Sequence, residues 1–321
     1  LNIIKTDNGF PYAWKAGRVE QLVRNILERK AEEQLTIDRV MLINPIWLLD
    51  RNLEDEIAEA NPDFIICCSL VDPIIIQVQE LIEQSGRPYV FVGNIGDYRI
   101  DFWAMVCDLN FRSYTQAELE LNPNPKKFLC LNRKPHAHRR LLVDTLKTVQ
   151  DQGYISLGYE HGPMMVDYQF TEEQGTRDAL PDNIPIGNDI YSLGDLAVWQ
   201  DSFLNIVTET TFGTARSENF FISEKTWKPI LGLRPFFIYG QPELRTYLKQ
   251  QGFDIFEDLI DYSSLVTEQD YAQRAVETVQ RLTVDHTPEF QRRLVNNQKR
   301  FHSYVYEQWH RLFDLNLNNY L

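Results

Sequence analysis

Long apolar runs are absent from this chain. Its most apolar stretches, Phe64–Leu70 and Pro235–Tyr239, are of strand length and well short of the roughly 18 residues a membrane helix needs, so no membrane span is expected. Cysteine is scarce as well. Cys67, Cys68, Cys107 and Cys130 form neither a CxxC pair nor a regular framework, which points to reduced, buried thiols and a cytoplasmic location, not to a disulfide scaffold. No basic-then-apolar segment follows Leu1, so nothing there is expected to direct export. Excess positive charge is also missing: 32 Lys and Arg against 46 Asp and Glu give a net charge of -14, which disfavours a protein held on duplex DNA by general attraction to phosphate.

What is present is an ordinary globular composition, 43% hydrophobic and 24% charged, in 321 residues, enough for one large domain or two smaller ones. The basic residues are concentrated. Residues 126–140 hold Lys126, Lys127, Arg133, Lys134, Arg139 and Arg140 and no acid at all, which in an acidic chain asks for an anionic ligand, although a solvated basic turn has the same composition.

The first part reads as alternating helices and strands. Helical spacing over Gly17–Leu35 precedes a strand at Arg39–Asn44, a short charged helix at Leu53–Ala60 and a strand at Asp63–Ser69. A further helix starts near Asp72-Pro73 and ends at Ser85-Gly86, before an apolar strand at Pro88–Asn94. Continuous apolar strands separated by helices are what a parallel sheet covered on both faces requires. Leu121–Lys127, with two Pro and two Asn, reads as a linker. After it come a strand at Phe128–Leu131, a helix from about His136 to Gln152, a strand at Tyr154–Leu157 and a long Gly/Pro/Asp-rich loop at 159–194. The remainder reads as a strand at Ser202–Thr208, a helix at Glu224–Leu231, a strand at Pro235–Tyr239 and helices at Pro242–Gln251, Glu268–Leu282 and Thr287–Phe313.

Two segments carry chemistry. Phe128–Arg140 (FLCLNRKPHAHRR) runs from a buried strand through a turn with Asn132 and Arg133 into a helix bearing His136, His138, Arg139 and Arg140. Unpaired N–H groups at such a helix start, with its positive dipole end, favour an anion, and Arg can grip phosphate oxygens in pairs. An HxH without a third ligand is weak evidence for a metal, and none is expected. The second segment is Glu209 followed by Phe221–Pro229 (FISEKTWKP), where Ser223 caps a helix, Glu224 sits in its first turn, and Lys225 can point at phosphate. Ser-Glu at a helix start is equally what ordinary capping looks like. Trp227, two residues past Lys225, faces elsewhere and reads as packing.

The run VTET (Val207–Thr210) and, after a gap, FISEKTWKPILGLRPFFIYGQPELRTYLKQQGF (Phe221–Phe253) together resemble the nucleotide-sugar-binding motif of the α-1,3-fucosyltransferases and related GT-B glycosyltransferases. In that family an acidic strand precedes an aromatic-x-Thr-Glu-Lys helix and a Pro-led apolar strand. Phe221 stands where the family usually has Tyr. The resemblance implies an α/β fold of GT-B type, two Rossmann-like domains with parallel sheets facing a central cleft. Residues 1–125 would form the acceptor-side domain, 126–285 the nucleotide-sugar domain, and 286–321 a C-terminal helix that packs back on the N-terminal domain or on its own. It also implies that Lys225 and one of Arg133, Arg139 or Arg140 neutralise a diphosphate, and that Glu209 and Glu224 engage the nucleoside or sugar.

The implied activity moves a sugar from a GDP- or UDP-linked donor to a saccharide or other hydroxyl acceptor. No short acidic DxD triplet occurs, so an inverting, metal-independent reaction is expected. Its general base would come from the N-terminal domain, where Asp97, in GNIGDYR, and Asp72, at a helix start, are the candidates beside Asp101. Two other functions fit the same residues: a non-catalytic nucleotide or nucleotide-sugar binding module, and a glycosyltransferase acting on modified bases in nucleic acid, which the net charge argues against.

Overall fold

The computed structural model describes residues 2–5, 38–43, 52–68, 80–87, 89–92, 101, 103–104, 107–108, 114–132, 135–159, 162–166, 193–210, 212 and 222–317. The chain divides into two compact units, Leu1–Leu109 with Val305–Leu321, and Asn110–Tyr304.

In the first unit, β1 (Asn2–Lys5), β2 (Arg39–Ile43), β3 (Phe64–Cys68) and β4 (Tyr89–Val92) pair in that order, all parallel. Helix α1 (Leu53–Ala60) lies between β2 and β3 in sequence. It buries Leu53 and Ile57, four residues apart on one face, and carries Glu54, Asp55 and Glu56 in its first turn, where the dipole favours acids. It stops at Asn61, whose φ of 41° is left-handed. Met41, Ile43, Leu53, Ile57, Ile65, Cys67 and Ile82 form one buried cluster. The Asp63 carboxylate accepts from the backbone N–H groups of Asp38 and Arg39 at 3.0 and 2.8 Å, which ties the start of β2 to the start of β3. The expected helix at Gly17–Leu35 lies outside the described residues.

The second unit contains β5 (Lys126–Cys130), α2 (Ala137–Leu146), β6 (Gly153–Tyr159), β7 (Gly162–Val166), α3 (Leu196–Gln200), β8 (Ser202–Thr208), α4 (Glu224–Leu231), β9 (Phe236–Tyr239), α5 (Pro242–Gln250) and α6 (Glu268–Arg281). Helix α7 (Pro288–Leu317) begins here. The sheet order is β7-β6-β5-β8-β9, parallel except for β7, which runs antiparallel to β6 at one edge. The chain therefore leaves β5 toward β6 on one side and returns to β8 on the other, so the direction of winding reverses between β5 and β8. Beyond the carboxyl ends of two such strands the flanking helices diverge, and open α/β sheets place their ligands in that crevice.

Three elements depart from the sequence reading. Strand β7 occupies part of the stretch expected to be loop; Gly162-Pro163 hid its strand character, and its ladder comes from pairing with β6, with Tyr159 opposite Gly162. The helix expected to reach Gln152 is α helical only to Leu146 and continues as a 3₁₀ segment, Lys147–Gln152, with Val149 off helical angles. Thr145 and Thr148 hydroxyls donate back to the carbonyls of Leu141 and Thr145 there, a bond that bends helices. The Pro/Asn-rich segment read as a linker is tied into the second unit: Asn122 N–H donates to the Gln200 carbonyl (2.8 Å), and β5 begins at Lys126, whose N–H donates to Asp201 (2.9 Å).

The unit is closed by polar clamps as well as apolar burial. The buried Arg234 guanidinium donates to the carbonyls of Leu119, Trp199, Ser202, Gly232 and Leu233, gathering three stretches of chain. On α7, Phe290, Leu294, Asn297, Phe301 and Tyr304 recur at alternating spacings of four and three and are all buried. Trp227 is fully buried against Phe253, Phe301 and Tyr304. No helix among the described residues is long and apolar enough to cross a membrane.

Strand β9 is an edge, and an unpaired edge invites further pairing. Here the Ile238 N–H donates to the Tyr262 hydroxyl (3.0 Å), which lies 3.5 Å from the Phe236 carbonyl, so one side chain meets the groups another strand would use. Tyr262→Phe should leave the buried Ile238 N–H without its acceptor and cost about 1–2 kcal/mol in urea unfolding. An unchanged midpoint would show that the edge does not need this cap.

Candidate functional site

The carboxyl ends of β5 and β8 deliver the residues of both motifs to one place. Beyond β5, Asn132 is buried and spans three strands. Its N–H donates to the Ser156 hydroxyl (2.9 Å), its Nδ2 to the Ser156 carbonyl (3.1 Å), and its Oδ1 accepts from the Thr208 hydroxyl (2.5 Å). It joins the strands at the winding reversal, and its amide is spent on them.

Beyond β8 comes Glu209, 1% exposed. Its N–H donates to the Tyr239 carbonyl of β9 (3.0 Å). Its carbonyl accepts from His138 Nε2–H (3.0 Å) and Arg139 Nη2 (3.3 Å), both on α2. Its Oε1 accepts from the Ser223 N–H (3.2 Å) and the Thr226 hydroxyl, and its Oε2 from the Ser223 hydroxyl (2.6 Å) and the Thr210 N–H (3.1 Å). An ionised carboxylate offers about four acceptor positions, and protein donors fill all four. Glu209 thus sits at the site, as the sequence suggested, but its carboxylate faces α4 and not open space.

Helix α4 starts as its sequence dictates. Ser223 is the N-cap in extended conformation, and its hydroxyl accepts from the Lys225 N–H (3.3 Å). The Lys225 amine lies 2.7 Å from Glu224 Oε1, 3.4 Å from the Ser223 hydroxyl and 3.5 Å from the Thr210 hydroxyl, with the side chain 24% exposed. Burial works to raise the Glu224 carboxyl, but Lys225 and Lys228 outweigh it and hold the group below the usual carboxylate range, so Glu224 is ionised at neutral pH. A buried anion therefore fixes the direction of the Lys225 side chain.

Helix α2 starts differently. Its N-cap, His136, makes no side-chain capping bond, and its first turn carries no acid. Arg139 is 2% exposed, held at the Glu209 carbonyl, and Arg140 is exposed, its Nε donating to the Pro135 carbonyl (2.9 Å). The His138 ring stacks on His136 (centroids 5.9 Å) and Tyr239 (6.1 Å), with Phe212 against Tyr239 (4.8 Å) and edge-on to Tyr271 (5.2 Å). Among the described residues no group of three or more His, Cys, Asp or Glu is arranged to hold a metal ion.

Of the residues singled out in the sequence, Asn132, Arg139, Glu209, Ser223, Glu224 and Lys225 converge on the reversal between β5 and β8, with Arg140 on the outer face of α2. Arg133, Phe221, Asp72 and Asp97 lie outside the described residues. Asp101 is buried, and its Oδ1 accepts from the Ala104 N–H (2.8 Å). Thr208, Thr210, Thr226 and Ser156 escaped notice in the sequence; the hydroxyls flanking Glu209 in TET, and Thr226 beside Glu-Lys, were the available signal. No family model matches the chain, and neither the curated proteins nor the solved structures contain a match to it.

Burial pushes His138 down from 6.5 to about 4; its bond to the Glu209 carbonyl opposes this, and Arg139 and His136 add to it. Its Nε2 carries the proton that the Glu209 carbonyl receives. A depressed histidine takes up protons more readily when unfolded, so its contribution to stability is present above about pH 6.5 and is lost as pH falls toward 4. That loss should be on the order of 2–3 kcal/mol across the window. Urea unfolding of wild type and His138→Gln at pH 7 and pH 4.5 checks it: the wild type should lose more stability than the variant, and equal losses would remove His138 as the cause.

Proposed function

We propose that this chain is a glycosyltransferase of GT-B type that moves a sugar from a nucleoside-diphosphate donor, GDP- or UDP-linked, to an acceptor hydroxyl by an inverting, metal-independent displacement. The observation that carries the reading is the convergence of two helix starts, each with a basic residue, Arg139 on α2 and Lys225 on α4, at the winding reversal of a parallel sheet. Backbone N–H groups at helix starts and fixed cations are the donors a diphosphate takes. The resemblance of residues 207–253 to the fucosyltransferase motif supports the same ligand.

In this reading the bond from the anomeric carbon to the diphosphate breaks through an oxocarbenium-like transition state, and negative charge grows on the leaving phosphate. Lys225, already oriented by Glu224, stabilises that charge without reorganising, which is where fixed charges contribute most, and Arg139, buried at the Glu209 carbonyl, adds its positive charge from beneath. The acceptor hydroxyl gives its proton to a carboxylate, for which Asp97 and Asp72 remain the candidates from the sequence.

Thermal unfolding with GDP, UDP, ADP and CMP tests the reading. One nucleoside diphosphate should raise the melting temperature, and Lys225→Ala should weaken its binding by roughly 10–100-fold, the worth of a charge-assisted contact. Transfer from the matching nucleotide sugar should fall with it. No shift with any nucleotide would overturn the assignment, and a shift without transfer or donor hydrolysis would leave a binding module.

A further inference from the structure

We propose that Glu209 is a positioning residue that sets both cations of the anion site without touching the ligand, an inference that rests on the nucleotide-binding reading above. Every polar group of the residue is committed to the protein. The main-chain carbonyl holds Arg139 and His138 from α2, the carboxylate holds Thr210, Ser223 and Thr226, and the N–H ties the strand end to β9.

The three residues that the carboxylate holds, two by their hydroxyls and Thr210 by its N–H, flank Lys225. The Ser223 hydroxyl donates to Oε2 and so turns its lone pair to the Lys225 N–H; it also lies 3.4 Å from the Lys225 amine. Thr210, fixed through its N–H, places its hydroxyl 3.5 Å from the same amine. Thr226 follows Lys225 and pins the first turn of α4 to Oε1. Glu209 thus acts on Lys225 through these neighbours and on Arg139 through its own carbonyl, so the separation of the two cations is fixed by a single strand-end residue.

Gly240 is part of the device. A Cβ there would stand 3.0 Å from Glu209 Cβ and 3.3 Å from its Cγ, so the Glu209 side chain would have to give by a few tenths of an ångström to admit one. A glutamine at 209 keeps the size but, whichever way its amide lies, sets an NH₂ against a backbone N–H, that of Thr210 or that of Ser223, where an acceptor is needed.

The test is calorimetric titration of GDP, UDP and inorganic pyrophosphate into wild type, Glu209→Gln, Lys225→Ala, the double variant and Gly240→Ala, with melting temperatures of the ligand-free proteins measured alongside. Glu209→Gln should weaken pyrophosphate and nucleotide binding roughly tenfold or more in the wild-type background, and less than about threefold once Lys225 is gone, because the two act as one unit. Gly240→Ala, which keeps every polar group, should weaken binding in the same direction, and it carries the test if Glu209→Gln does not fold. Equal losses in both Lys225 backgrounds, or undiminished binding by both the Glu209 and Gly240 variants, would overturn the coupling and leave the nucleotide reading intact. A wild type that binds none of the three ligands would overturn that reading, and the coupling with it.

Discussion

A carboxylate taken out of water must find a donor for each of its lone pairs, and the Glu209 side chain does so where the sheet changes its direction of winding. Much of the second unit follows from that requirement. Three donors come from the start of α4, the Ser223 N–H and hydroxyl and the Thr226 hydroxyl, and they tie the first turn of that helix to the end of β8. Another comes from the backbone just past the strand, and Gly240 leaves room for the Glu209 side chain that a Cβ there would narrow. With the side chain committed, the carbonyl of the same residue is left to receive α2. Strand order brings the starts of the two helices to one end of the sheet, and Glu209 makes a hydrogen bond to each of them.

The electrostatics are local. In a chain with a net charge of -14, Lys225 and Arg139 stand at a point where each is already oriented by an oxygen of the protein. Glu224 has a double effect: it is kept ionised by Lys225 and Lys228, and it fixes the direction of the amine that a phosphate would meet. In the proposed reading such a site would discriminate by geometry. The acidic excess of the chain would oppose general attraction to polyanions, which is why the proposal names a small diphosphate and not a nucleic acid strand.

The sequence made the regular elements legible wherever period and punctuation agreed. Helices α1 and α4 and strand β8 lie at the bounds expected, because each combines an uninterrupted periodicity with a capping or breaking residue at its ends. The end of α2 was missed because Thr145 and Thr148 bend it through bonds to their own backbone, which an apolar period does not register. Strand β7 was missed because its ladder depends on a partner strand and not on its own residues. At the site, residue types and spacing led to the expectation of an anion-binding place, and Ser223 could be read as a cap from its neighbours, as it proves to be. The direction in which Glu209 points could not be read, since a lone acid after an apolar strand looks the same whether it faces a ligand or the next helix; only the positions of Thr210, Ser223 and Thr226 decide it.

The central claim is that a diphosphate sits between the starts of α2 and α4, and the most direct measurement is a crystal structure with the nucleoside diphosphate that binds. The account predicts phosphate oxygens within hydrogen-bonding distance of Lys225 and Arg139, while the Glu209 carboxylate keeps its four protein donors and makes no contact with the nucleotide. A nucleotide bound elsewhere on the chain, or one grasped directly by the Glu209 carboxylate, would contradict it.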